Sequence, residues 1–126
     1  MKKYKTAEYI NMINPTPGEF YRSDILTNED AAKDLGGMIG LLVPGSQVPY
    51  HYHERRESIL IFISGEGTEI VEGEEFSVKA GDVLFIPAGE KHGIINRSDN
   101  DLRYLEFYTC PPGPSDFIVV EEGLPS

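Results

Sequence analysis

The sequence predicts an all-β fold, a single antiparallel barrel, and three observations carry that expectation. Turn-forming residues recur at roughly eight- to twelve-residue intervals, the spacing of a β-sandwich or barrel. Hydrophobic residues make up 40% of the 126 positions, and with the glycines they reach the apolar share of an ordinary globular domain. Helical patterning is confined to one short segment. Closure into a barrel is expected because so many short strands would otherwise leave exposed edges.

Strand-like runs lie at Phe20–Leu26, Met38–Val43, Val48–His53 and Ser58–Ser64. Further runs follow at Thr68–Val71, Glu75–Val78, Val83–Ile86, His92–Ile95, Leu102–Thr109 and Phe117–Val120. Between them stand Pro44-Gly45, Gly65-Glu66-Gly67, Glu72-Gly73, Ala80-Gly81-Asp82, Pro87-Ala88-Gly89 and Asn96–Asn100. Each supplies a residue that tolerates positive φ, fixes φ, or bonds its own backbone. The helix candidate is Asn28–Leu35, ending at Gly36-Gly37, and it reads equally as a loop. Asn14-Pro15, Thr16-Pro17-Gly18 and Pro111-Pro112-Gly113-Pro114 bracket the central block and read as arms or crossings. One domain spanning residues 1–126 is expected.

Charge narrows the function classes. Eleven Lys and Arg against 21 Asp and Glu give a net charge of −10. Nucleic acid and anionic membrane surfaces both call for a basic stripe, and none is visible, so neither partner is expected. The acidity is read as serving solubility. Lys2 and Lys3 have no apolar run behind them, so no signal peptide is expected. The longest apolar stretches, such as Met38–Val43 and Ile59–Ile63, are too short to span a bilayer. The single cysteine, Cys110, excludes an internal disulfide framework and fits a reducing compartment. A soluble cytoplasmic domain is the resulting expectation.

The chain holds three histidines, His51, His53 and His92. His51 and His53 flank Tyr52 in a predicted strand, so alternation sends both imidazoles to one face. Rings so placed can converge on one ion. His92 opens another predicted strand and could complete the set. A lone histidine would more often be structural, but a His-x-His pair with a third ring favours a metal.

The segment Gly45-Ser46-Gln47-Val48-Pro49-Tyr50-His51-Tyr52-His53 resembles the first motif of the cupin superfamily: a glycine, five residues, then His-x-His. Gly81 to Asn96 resembles the second: Gly81, five residues, Pro87-x-Gly89, two residues, His92, three residues, Asn96. The resemblance covers a core of residues 45–96 and is of the small, single-domain kind. It implies a double-stranded, jelly-roll antiparallel barrel holding one divalent metal through His51, His53, His92 and a glutamate. It also implies pairing as a homodimer through the terminal arms. Three neutral imidazoles favour a transition ion (zinc, iron, manganese, nickel or copper) over magnesium or calcium.

The glutamate departs from the family pattern. Glu57 lies at the right distance after His53, but seven residues separate it from Gly65 where the pattern has six, and Ser58 is the position that meets that count. On a regular strand the two face opposite ways. If Glu57 points inward, so do Ile59, Ile61 and Ile63; if Ser58 does, Leu60, Phe62 and Ser64 line the interior. Both faces are apolar, so alternation leaves the choice open; a β-bulge near Arg56–Ser58 could bring Glu57 to the metal while restoring the later register, and Glu57 is taken as the fourth ligand beside His51, His53 and His92. Elsewhere, Glu106 is read as sitting on a solvated outer face, with a buried base as the alternative. Arg55-Arg56 is read as a solvated loop, with gathering of an anionic substrate at the barrel mouth as the alternative; Asn96 is read as a turn residue, with an inward role as the alternative; and Cys110 is read as a spectator rather than a ligand or nucleophile. The functional expectation is a metal-dependent enzyme acting on a small oxygenated molecule, of dioxygenase type or of sugar or sugar-acid isomerase or lyase type. The alternative is a non-catalytic barrel that binds or senses a small molecule such as a carbohydrate. The sequence signals no catalytic base.

Overall fold

The structure is a computed structural model, and it describes residues 1–10, 20–109, 116–121 and 123. A short helix α1 (Thr6–Ile10) is followed by ten strands: β1 (Phe20–Leu26), β2 (Leu35–Leu42), β3 (Gln47–Tyr52), β4 (Ser58–Ser64), β5 (Glu66–Val71), β6 (Glu74–Lys79), β7 (Val83–Ile86), β8 (His92–Ile95), β9 (Leu102–Thr109) and β10 (Ile118–Val119). The predicted helix at Asn28–Leu35 is a 3₁₀ turn over Asn28–Asp30, and Leu35 already belongs to β2. The short α1 carried no sequence signal. The turn clusters at residues 14–18 and 111–114, and Cys110, lie outside the described residues.

The strands form two antiparallel five-stranded sheets, ordered β1-β2-β9-β4-β7 and β10-β3-β8-β5-β6. The expected all-β, antiparallel jelly-roll is borne out; only its closure into a continuous barrel is not seen. The architecture is a jelly-roll sandwich whose sheets keep their own edges, β1 and β7 in one and β10 and β6 in the other. The chain passes between sheets at sharp corners, the device that joins two packed sheets without a continuous ladder. Gly65 makes the corner between β4 and β5 with φ +83°, and a Cβ there would stand 2.2 Å from the Asp101 carbonyl oxygen. Only glycine fits that approach.

The core lies between the sheets, with Leu42, Leu60, Phe62, Ile94 and Leu102 among its buried side chains. Two tyrosines enter it over glycines directly opposite them in the β2–β9 ladder: Tyr104 faces Gly40 and Tyr108 faces Gly36. A Cβ at either glycine would come within 2.4 Å of the ring, so the glycines of β2 make room for aromatic bulk from β9. No helix among the described residues is long and apolar enough to cross a membrane.

Candidate metal centre

One irregularity turns His51 to the interior, and the end of β3 carries His53 there. Strict alternation from the buried Val48 would turn His51 outward, but the β3–β8 register shifts between Val48 and His51. Pro49 lies in that interval and has no N–H to give the ladder, so a bulge is tolerated there. The freed Pro49 carbonyl accepts a hydrogen bond from His51 Nδ1 at 2.6 Å. His51 then stands directly opposite His92, which faces Val71 on its other side. His53 follows the end of β3, and its carbonyl accepts the Gly89 N–H at 2.7 Å. The Pro87–Gly89 turn thus ties the two histidine segments together.

All three rings are buried, and their candidate ligand atoms lie within 4.8 Å of one another. Each ring has its Nδ1 on a backbone carbonyl: Pro49 for His51, Asp116 for His53, and Glu90 for His92. Those contacts fix the tautomer with hydrogen on Nδ1 and keep the Nε2 lone pairs clear of main-chain partners, that of His53 facing Arg56 Nη1 at 3.5 Å. Burial, and then the neighbouring His92, hold His51 down to about 2. Burial holds His53 down to about 4, against the Asp116 carbonyl, and lowers His92 as well. The neutral rings are the form that coordinates metal. Nitrogens at ~2.1 Å from one tetrahedral ion stand about 3.4 Å apart, so the widest pair must close by a little over an ångström. The donor set therefore fits a divalent transition ion.

Glu57 is placed elsewhere. β4 begins at Ser58, whose side chain faces inward with Leu60 and Phe62. The β4–β9 register runs unbroken from Ser58 to Phe62, so no bulge brings Glu57 inward. Glu57 is exposed; its N–H donates to Thr109 Oγ1 and its carbonyl accepts the Thr109 N–H. Among the described residues the side chains grouped so that they could hold an ion are the three histidines, and Glu57 is not with them.

Several interior groups were misread or missed from sequence. Glu106 is buried rather than solvated, because Tyr104, Glu106 and Tyr108 form the inward set of β9. Ser58 Oγ donates to Glu106 Oε2 at 3.0 Å, and Arg56 Nη1 stands 3.5 Å from the same oxygen. Burial raises Glu106, against the pull of Arg56 and Ser58. Arg56, expected in a solvated loop, is only 3% exposed. Its guanidinium lies over the Tyr108 ring, 3.9 Å from the centroid, and Nη1 is 3.5 Å from His53 Nε2. Burial lowers its pKa, against Glu106 and Tyr108. Asn96 is a fully buried organiser: Nδ2 donates to the Leu42 and Asn100 carbonyls, and Oδ1 accepts the Ser98 N–H.

Asp116 had no signal at all. Its carboxylate accepts the N–H groups of Glu54, Arg55 and Arg56 at 2.8, 2.8 and 3.1 Å, which draws that loop inward. Phe117 stacks on His51 with ring centroids 4.1 Å apart. On β5, Glu69 is completely buried and neither carboxylate oxygen has a hydrogen-bond partner. Burial, and then Glu106, push it well above the usual carboxylate range. Glu69 borders a cleft of about 460 Å³ between β6 and β7, with Val71, Phe76, Leu84 and Ile86 on its walls.

Comparison with known proteins agrees with this arrangement. The cupin domain family matches residues 38–108. The oxalate-binding protein of Thermotoga maritima is 35% identical over 103 residues, covering 79% of this chain and 84% of that protein. Among solved structures, an uncharacterized protein with a double-stranded β-helix domain from Klebsiella pneumoniae superposes with a TM-score of 0.78 at 26% identity, covering 96% of this chain and 98% of that one. A predicted oxalate decarboxylase from Thermotoga maritima superposes with a TM-score of 0.67 at 32% identity, covering 82% and 83%.

Proposed function

The chain belongs to the cupin domain family, and from that premise we propose that His51, His53 and His92 hold one divalent transition ion at which a small oxygenated molecule is bound and transformed. The observation that carries this reading is the convergence of three buried imidazoles, each with Nδ1 already committed to a backbone carbonyl. Such an ion supplies Lewis-acid chemistry and, if iron, manganese or copper, redox chemistry as well. The chain's own part is to keep the rings neutral, hold them to one point and exclude water. Ser58, Glu106 and Arg56 form a linked polar group next to His53, and Glu106 is the inward carboxylate able to hold a proton near a bound molecule. The reaction classes are those of a dioxygenase or of a sugar or sugar-acid isomerase or lyase.

A purely binding role has one finding in its favour, the name of the Thermotoga oxalate-binding protein. Elemental analysis of protein purified without added metal tests the metal, with about one transition ion per chain expected. Its absence after loading with zinc, iron and manganese in turn would end the reading. Oxygen uptake and isomerase assays over panels of diketones, flavonols and sugar acids then separate turnover from binding; tight binding without turnover selects the binding role.

We also propose a cytoplasmic homodimer. The outer face of the first sheet supports pairing, because Ile59 and Phe85 lie directly opposite each other on it and Val83 extends the patch, all three exposed. Light scattering at micromolar concentration should return twice the chain mass, and a monomer removes the proposal.

A further inference from the structure

Buried polar groups nearly always find partners, so an orphan asks for an explanation. Glu69 is such an orphan: its side chain is fully buried and neither carboxylate oxygen has a hydrogen-bond partner. It is not sealed into the core, because it lines the cleft of about 460 Å³ between β6 and β7. That volume is in the range of small-molecule sites. β6 is the edge of one sheet and β7 the edge of the other, so the sandwich opens along this side. None of the three histidines lines the cleft, which sets it apart from the metal centre.

The surroundings select the ligand. Phe76 stands directly opposite Glu69 in the β5–β6 ladder, so ring and carboxyl group share one face. Phe76 is 47% exposed; a ring so placed turns at little packing cost and opens the way to the carboxyl group. Leu84 and Ile86 form the facing wall from β7. The charged side chains among the described residues of the lining are Glu69, Asp82 and Glu90, all acidic. An anion is repelled there, and a wholly apolar guest leaves the Glu69 oxygens without a partner. An ammonium on an apolar body meets every requirement. Its N–H groups donate to the carboxylate, the Phe76 face attracts its charge, and its body covers the walls. Burial, and then Glu106, raise Glu69 above the usual carboxylate range, and a cation at its oxygens offsets that penalty.

We propose that this cleft is a second binding site, for a primary amine with an apolar body, its ammonium on Glu69 and its body between Phe76 and the β7 side chains Leu84 and Ile86. The site does not depend on the metal.

The test is calorimetric titration with n-hexylamine, and with 1-hexanol as its neutral counterpart. At pH 8 an alkylammonium, with a pKa of about 10.4, stays charged. The amine should bind at least about 10-fold tighter than the alcohol, in the zinc-loaded and the zinc-stripped chain alike. An amine that binds no tighter than the alcohol, or that binds only the zinc-loaded chain, overturns the proposal. Glu69→Gln keeps the shape and removes the charge. It should weaken the amine about 10- to 100-fold and leave the alcohol within about twofold of the parent. Unchanged amine affinity, or an equal loss for both ligands, overturns the proposal and leaves the metal reading untouched. Should Glu69→Gln fail to fold, Phe76→Leu serves instead, since it keeps an apolar wall without the aromatic face. It should weaken the amine about two- to fivefold more than the alcohol, and an equal effect on the two overturns the proposal.

Discussion

The histidine end of the interior and its acidic middle handle polar groups in opposite ways. At the histidine end each ring gives one nitrogen to a main-chain carbonyl and keeps the other for a common point. In the middle, Glu69 has no partner for either oxygen, and Arg56 has none for two of its three nitrogens. The first region gathers three buried rings that could hold one ion. The second carries groups that cost folding free energy as they stand, since buried polar atoms lose water without a replacement. Departures of this kind from full polar satisfaction are concentrated at functional or strained sites.

The comparison breaks most readily at His92. His92→Ala should drop zinc content from about one ion per chain to near none, read by elemental analysis, because two imidazoles seldom retain an ion alone. Retention of full occupancy would mean that the rings are not the ligands. Asp116→Ala probes the link between the regions, since its carboxylate holds three N–H groups of the loop carrying Arg56. The loss should be about 2 kcal/mol by denaturant melts, with zinc affinity roughly tenfold weaker as His53 loosens.

Glu69→Gln sharpens the contrast through its pH dependence. Glu69 is raised on folding, so the native chain binds more protons there than the unfolded chain. Its contribution to stability is therefore full below about pH 4.3 and declines as pH rises toward its raised folded value. The Gln variant should match the parent near pH 4 and exceed it by about 1–3 kcal/mol at pH 8. Equal melts at both pH values would show that Glu69 is already satisfied. The smallest effect is expected from Glu57→Gln, which should leave zinc content and affinity unchanged because that side chain is exposed. A clear fall would mean that the loop rearranges to bring it in.

The sequence was most informative where local chemistry decides. The limits of β1, β4, β7, β8 and β9 follow from Gly, Pro and Asn punctuation, and the His-x-His pair marked the site before any coordinates. The register of β4 resisted because its outer residues, Ile59, Ile61 and Ile63, are as apolar as its inner ones. Only the inward Ser58, bonded to Glu106, settles which face is which. Glu106 and Arg56 were read as solvated because charged residues on a strand and in a charged loop normally are. Asp116, sixty residues away, holds the Arg56 backbone N–H, and Tyr108 and Glu106 meet its side chain from β9; no local pattern carries information over such distances. The bulge at Pro49 was legible in principle, since a proline inside a strand calls for one. The closed barrel failed because a count of strands says nothing of where the chain changes sheets; Gly65 decides that through its approach to Asp101.

Residues 116 and 117 touch the His53 ring through a carbonyl, the Arg56 loop through a carboxylate and the His51 ring through stacking. The late segment therefore works as a bolt driven through the finished sandwich from outside. Affinity tags, truncations or crystal-engineering changes beyond Thr109 are not neutral handling steps for this protein. A preparation altered at Asp116 or Phe117 can stay folded with a lowered melt while the His51 and His53 rings lose their backing.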